Sequence, residues 1–216
     1  MVLCGVLYVV ALALEPGAVT NPRGLTGFLS PGMRALARLG MTGASALWQG
    51  HWWTLLTALY LHGGLIHFLF NMLWLRQLGT TVEGLFGSAR FFLIFTVSGA
   101  IGMLASILVG VAFTIGASGA ILGLMGALVA YGRSRGDLLG AVMYRQLLLW
   151  ALVILLMGLL VPGVNNVAHV SGFGTGYLLA TLMRMHGERR SSRVVRFLAL
   201  GCSLLTALCF FLAFSA

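Results

Sequence analysis

Four polar side chains stand in otherwise apolar stretches of this sequence, and their types suit hydrolytic chemistry. Ser118 lies in TIGASGAILGLMGALVAYG, and His169 lies in VNNVAHVSGFGTG. His67 and Asn71, in HGGLIHFLFNMLWL, are four residues apart and so share one helix face. A serine hydroxyl becomes a nucleophile when an imidazole accepts its proton, and side-chain N–H groups can stabilise the oxyanion that follows.

Each of these residues also has an ordinary structural explanation. A serine in an apolar helix commonly bonds to the carbonyl one turn earlier, and a histidine or asparagine can join two helices by a hydrogen bond. A histidine inside a membrane helix is costly, however, and is by default a functional-site hypothesis. The hypothesis of catalysis therefore depends on all four side chains meeting at one place.

The composition predicts an all-α polytopic membrane protein. Of 216 residues, 60 % are hydrophobic and only 8 % are charged, whereas about a quarter of the residues in a soluble domain are charged. The net charge of +9 comes from thirteen arginines distributed between apolar stretches. This distribution indicates membrane topology and not a nucleic-acid partner.

Seven stretches are long enough to be candidates for crossing about 30 Å of hydrocarbon. The first, short and without a cleavage site, is interpreted as a retained span and not as a signal peptide. Residues 16–64 are predicted to form a loop partly sunk in the interface, where tryptophans are enriched. The candidate spans are residues 2–14, 65–79, 91–113, 114–132, 146–161, 164–183 and 197–214.

Arginine positions predict the orientation. If the amino terminus is cytoplasmic, ten arginines fall in internal loops and only Arg23, Arg34 and Arg38 fall outside, as the positive-inside rule expects. Spans two, four and six then begin at the external face, with the polar side chains in their first two turns. Ser118 and His169 are each expected about 6–8 Å below their helix starts.

Small residues accompany both side chains. Glycines at helical spacing let two backbones approach closely, and a crossing of spans four and six would bring the Ser118 hydroxyl within hydrogen-bonding reach of the His169 ring. The predicted helix-packing residues are Gly116, Gly119, Gly172 and Gly176.

The acidic residues argue for a dyad and against a triad. Glu83, Asp137 and Glu188 fall on the predicted cytoplasmic side, and Glu15 ends the first span. His169 would thus act alone as general base and then general acid. The predicted oxyanion donors are His67, Asn71 and the backbone N–H of Ser118.

The motifs GASG, AHVSGFGTG and HGGLIHFLFNM, in their order along the chain, resemble the rhomboid intramembrane serine proteases. LWQGHWWTLLTALYLHGG and TTVEGLFGSARFFLIF resemble the flanking family sequence, so the similarity spans roughly residues 45–183. The set in order is highly specific.

The resemblance implies a six-helix core with a water-filled cavity open to the external face of a bacterial inner (plasma) membrane. Substrates would be single-span membrane proteins cut at small residues, and no metal or organic cofactor is needed. The implied organisation is a protease core at 1–183, a basic cytoplasmic linker at 184–196 and an extra transmembrane helix at 197–216.

Two positions depart from the family pattern. Thr54 stands where many members have the arginine of a Trp-Arg pair. Loop anchoring or substrate gating is the property that this first change would affect. Leu122 stands where many members have an aromatic ring that packs on the catalytic histidine. The orientation of His169 is the property that this second change would affect.

Three other functions remain as alternatives. An inactive rhomboid-like binding or quality-control protein is the nearest, although such relatives typically lose the serine or the histidine. A small transporter or channel usually shows inverted repeats or paired broken helices, and none is visible here. A zinc enzyme using His51, His62 and His67 lacks the His-Glu-x-x-His pattern and an acidic partner.

Overall fold

The computed structural model describes residues 1–16, 28–183 and 192–215. Within these ranges the secondary structure is helical, apart from an isolated antiparallel bridge between Thr42 and Thr114. A 3₁₀ turn at Ala58–Tyr60 follows the fourth helix. The α-helices are α1 Val2–Leu14, α2 Met33–Arg38, α3 Ala44–Trp48, α4 Thr54–Thr57, α5 Leu65–Phe86, α6 Ser88–Leu108, α7 Ser118–Arg135, α8 Leu138–Leu160, α9 Asn166–Leu182 and α10 Arg193–Ser215.

The helices α6, α8 and α10 are long and apolar enough to cross a membrane by length and composition alone, among the residues described. Thr54–Tyr60 and α5 together form a fourth candidate that is bent by 92°. The helix α1 is apolar but shorter, α9 has 17 residues, and α7 ends in Arg133 and Arg135. The protein is an all-α polytopic membrane protein.

The helix α7 is the centre of the bundle. Every residue from Gly119 to Gly132 is buried, because α5, α6, α8 and α9 all pack against this helix. The outer helices α8 and α10 expose large apolar side chains such as Leu159 and Phe197, as expected for surfaces that contact lipid. The fold thus encloses the start of α7, where Ser118 lies.

Residues 28–64 form a more structured segment than the sequence predicted, with α2, α3, α4 and the 3₁₀ turn inside the expected loop. Thr54 is 3 % exposed; its Oγ1 lies 2.9 Å from Thr42 Oγ1 and donates to the carbonyl of His51. In place of an arginine, this hydroxyl therefore joins two parts of the segment.

The connection between α6 and α7 corrects two predicted boundaries. The spans expected at 91–113 and 114–132 run without a gap in the sequence, but α6 ends at Leu108 and α7 begins at Ser118. Gly110 and Gly116 have φ of +88° and +119°, which interrupts the helix because this region of φ suits glycine. The segment instead bonds to the first loop, since the Thr114 N–H donates to the Thr42 carbonyl at 2.8 Å.

The predicted depth of Ser118 below the start of its helix is wrong for the same reason. Ser118 is the first residue of α7 and not one turn inside it, whereas His169 is the fourth residue of α9. In the carboxyl-terminal region, α10 begins at Arg193. The last four residues of the predicted linker are therefore helical, whereas residues 184–191 of it lie outside the described residues.

Candidate active site

The side chains of Ser118 and His169 are in hydrogen-bonding contact. Ser118 Oγ lies 2.8 Å from His169 Nε2, although the two residues are 51 positions apart in the chain. The imidazole is 4 % exposed and Ser118 is half-buried. A neutral histidine can accept the serine proton at Nε2 only if its own proton is on Nδ1, so action as a general base requires the Nδ1–H tautomer.

Glycine-to-backbone contacts bring α7 and α9 together below this pair. A Cβ atom on Gly172 would lie 2.1 Å from the carbonyl oxygen of Gly119, and one on Gly176 would lie 1.8 Å from that of Gly123. No side chain fits at those distances, so the two helices cross with their backbones in contact. The crossing determines how far Ser118 lies from His169.

Gly116 has a different surrounding from the other three predicted packing glycines. It lies outside α7, in the turn before it, with a φ of +119°. A Cβ atom there would be 2.7 Å from His67 Nε2. This glycine therefore makes room for the His67 ring next to the start of α7, and it does not pack on α9.

His67 presents a donor toward this turn. Its Nδ1 accepts a hydrogen bond from the Gly63 N–H at 3.3 Å, so in the neutral ring the proton is on Nε2. That Nε2 lies 2.7 Å from where a Cβ atom of Gly116 would be, and Gly116 is two residues before Ser118. His67 is thus placed to donate near the serine.

Asn71 lies one turn further along α5 and is 2 % exposed. Its Nδ2 donates to the His67 carbonyl at 2.8 Å, which uses one of the two amide N–H groups. The second N–H remains for another acceptor, and Oδ1 has no partner among the described residues.

His169 Nδ1 also has no hydrogen-bond partner among the described residues. The described acidic residues are Glu15, Glu83 and Asp137. Glu15 accepts from the backbone of Ala35, Glu83 accepts from Ser88, and Asp137 pairs with Arg135. None of these three described carboxylates is therefore hydrogen-bonded to His169.

Two further residues, His62 and Asn165, lie near the site and were not predicted from the sequence to belong to the dyad or to the oxyanion donors. His62 is 1 % exposed, and its ring centroid lies 5.1 Å from that of His67. Asn165 caps α9 and bonds to two other segments; an asparagine pair at the start of a helix, here Asn165-Asn166, is a typical cap signal. Leu122, one turn after Ser118, is buried.

The described residues contain no group of three or more His, Cys, Asp or Glu side chains that could hold a metal ion. His51 instead packs against the Trp53 ring, with centroids 4.8 Å apart. The three histidines considered for a zinc site thus do not assemble with other ligands among these residues.

Comparison with known proteins agrees with the motif resemblance. Residues 49–186 match the family model described as "Rhomboid domain". The chain is 34 % identical to rhomboid protease GluP of Bacillus subtilis (strain 168), over 71 % of this chain and 30 % of that protein. It is 33 % identical to the putative rhomboid protease YdcA of the same organism, over 66 % of this chain and 72 % of that protein.

A plant relative matches at a similar level. RHOMBOID-like protein 6, mitochondrial, of Arabidopsis thaliana is 35 % identical over 74 % of this chain and 53 % of that protein. The chain spans about a third of the length of GluP, about half of the length of this plant relative and about three quarters of the length of YdcA. The match includes every helix from α5 to α9. This chain therefore belongs to the rhomboid family, a family of intramembrane serine proteases.

Proposed function

We propose that this chain is an intramembrane serine endopeptidase that hydrolyses peptide bonds of single-span membrane proteins. The observation that carries the proposal is the 2.8 Å contact between Ser118 Oγ and His169 Nε2, inside a bundle of apolar helices. A hydroxyl and an imidazole in this arrangement are the minimal apparatus for acyl transfer.

In the proposed reaction, Ser118 Oγ attacks the substrate carbonyl carbon while its proton moves to His169 Nε2. The tetrahedral intermediate collapses when the C–N bond breaks and the imidazolium gives its proton to the leaving amine. Water then attacks the acyl-serine ester while His169 accepts its proton; the ester C–O bond breaks, the imidazolium returns the proton to Ser118 Oγ, and the carboxyl product leaves. Over the whole cycle His169 gives back each proton that it accepts, so the dyad needs no cofactor.

The oxyanion would form at the amino-terminal end of α7. The first backbone N–H groups of a helix have no intrahelical acceptor and carry the positive end of the helix dipole. Ser118 is the first residue of α7, and the His67 Nε2–H lies beside the preceding turn. We assign the oxyanion donors to the Ser118 backbone, His67 and the remaining N–H of Asn71.

Replacing His67 with alanine is expected to lower kcat by about 100-fold, because removal of one oxyanion donor typically costs that much. The loss should appear mainly in kcat, since the donor acts on a charge that develops only in the transition state. The matched control is His51→Ala, which removes an imidazole that packs on Trp53 in the first loop. Equal activity of the two variants would contradict the assignment of His67 as an oxyanion donor.

The proposed substrate class and orientation can be tested together. The amino terminus is placed in the cytoplasm and the Ser118 end of the bundle toward the outside, as the arginine distribution indicates. The purified chain is reconstituted in liposomes with single-span substrates, and new termini are mapped by mass spectrometry. Cuts near the outer end of the substrate helix support the proposal, whereas retention of uncut substrate favours the alternative of a membrane-protein binding factor.

A further inference from the structure

The side chain of Asn165 bonds to three different segments at the end of the bundle that carries the dyad. Its Oδ1 accepts from the Ala168 N–H at 3.1 Å, which caps α9. Its Nδ2 donates to Ser106 Oγ at 2.7 Å and to Thr114 Oγ1 at 3.0 Å. One amide therefore connects α9, α6 and the segment that leads into α7.

These bonds adjoin both members of the dyad. Asn165 precedes His169 by one turn, and its carbonyl accepts the His169 N–H at 3.2 Å. Thr114 precedes Ser118 by four residues, and its backbone N–H is held by Thr42. The Asn165 amide thus links the start of α9 to the turn that positions the serine.

The acceptors on the other side are themselves fixed. Ser106 is fully buried, and its hydroxyl donates to the Gly102 carbonyl at 2.7 Å. Because the Ser106 proton is used in that bond, the Ser106 oxygen can only accept in its contact with the Asn165 N–H. Thr114 is 6 % exposed, so hydrogen bonds at both sites are shielded from water and more costly to lose.

The glycine contacts and the Asn165 hydrogen bonds act at different places on α9. Gly119 with Gly172 and Gly123 with Gly176 determine how closely the backbones of α7 and α9 approach. The Asn165 bonds lie at the amino-terminal end of α9, one turn before His169, and tie that end to α6 and to Thr114. A shift of this end would move the His169 ring relative to Ser118 Oγ.

We propose that Asn165 is a positioning residue that holds the His169 imidazole on the Ser118 hydroxyl by linking α9 to α6 and to the turn before α7. This inference rests on the proposed function of the dyad. It assigns to Asn165 a role beyond capping, because the cap uses only Oδ1 whereas the linkage uses Nδ2.

The test separates the two roles of the amide. Asn165→Ser keeps a good helix cap but is too short to reach Ser106 and Thr114. Asn166→Ala is the matched control, since that neighbouring amide donates instead to the Leu155 carbonyl of α8 at 3.0 Å. For each variant, kcat, KM and the rate of Ser118 labelling by a fluorophosphonate are measured, with thermal unfolding as the check on folding.

Asn165→Ser is expected to lower kcat and the labelling rate together by about 10- to 100-fold with little change in KM, because a small misplacement of a catalytic group has an effect of that order. Asn166→Ala is expected to stay within a few-fold of the parent. Combining Asn165→Ser with Ser106→Ala and Thr114→Val should add little further loss, since all three changes break the same linkage.

Two results would overturn the inference while leaving the proposed function intact. One is an active parent whose Asn165→Ser variant keeps the parental kcat and labelling rate. The other is a loss of kcat and labelling rate no larger than that of Asn166→Ala at equal thermal stability. Asn165 would then act only as a helix cap. A parent with no Ser118-dependent cleavage would instead contradict the proposed function itself, and this inference with it.

Discussion

Replacing Ser118 with alanine is expected to abolish cleavage of a single-span substrate, with a loss of at least about 1000-fold in kcat. The remaining groups can still polarise a carbonyl, but without Oγ no acyl-serine forms. The measurement is the initial rate of product formation in proteoliposomes, followed by gel and by mass spectrometry of the new termini.

The matched control for this change is Ser171→Ala. Ser171 lies on α9 two residues after His169, and its hydroxyl bonds to the Val167 carbonyl of its own helix. Removing this hydroxyl leaves the dyad untouched, so the variant should cleave at close to the parental rate. Equal cleavage by the Ser118→Ala variant and the parent would remove the proposed nucleophile.

Replacing Gly176 with valine is expected to destabilise the protein by about 3 kcal/mol, the upper part of the range for overpacked cores. Even the first added carbon would lie 1.8 Å from the Gly123 carbonyl oxygen, so α7 and α9 must separate. Because the same crossing brings Ser118 to His169, cleavage should fall together with the unfolding temperature.

The control is Gly174→Val on the same helix. A Cβ atom on Gly174 meets nothing within 4 Å, so a valine side chain there has open space around it. The two variants carry the same substitution on the same helix and differ only in the helix face that bears it. The Gly174 variant should unfold and cleave like the parent, and both are measured in the same detergent by thermal unfolding and substrate cleavage. Similar behaviour of the two variants would contradict the close crossing of α7 and α9.

The residues of the candidate site could be predicted because polar side chains are unusual inside apolar helices. Ser118 and His169 are polar groups in apolar helices, and such groups are costly unless they have a partner or a function. Gly172 and Gly176, at three and seven residues after His169, indicate one face by helical spacing alone. The predicted contact between the hydroxyl and the imidazole agrees with the structure.

The ends of the helices were less predictable, because hydropathy does not distinguish a helix from an apolar turn. Residues 109–117 are apolar enough to continue a span, yet Gly110 and Gly116 adopt positive φ and Thr114 pairs with Thr42 across 72 positions. A long-range backbone pairing of this kind leaves no local signal. The predicted depth of Ser118 was wrong because of it.

Asn165 was missed because its sequence signal is ambiguous. Two consecutive asparagines stand at the start of α9, and the sequence does not show which of them is the cap. Only the packing of α6 and the turn before α7 against Asn165 distinguishes it from Asn166, which bonds to α8. Thr54 is a similar case, since nothing local indicates that its hydroxyl meets Thr42.

The most direct measurement of the central claim is covalent labelling of the serine. The purified chain is treated with a fluorophosphonate in the presence of a chelator, and the modified residue is identified by peptide mass spectrometry. We expect a single adduct on Ser118 in the parent, unaffected by the chelator and lost when His169 is replaced by alanine. A folded parent that stays unlabelled at Ser118, or a His169→Ala variant that labels at the parental rate, would contradict the central claim.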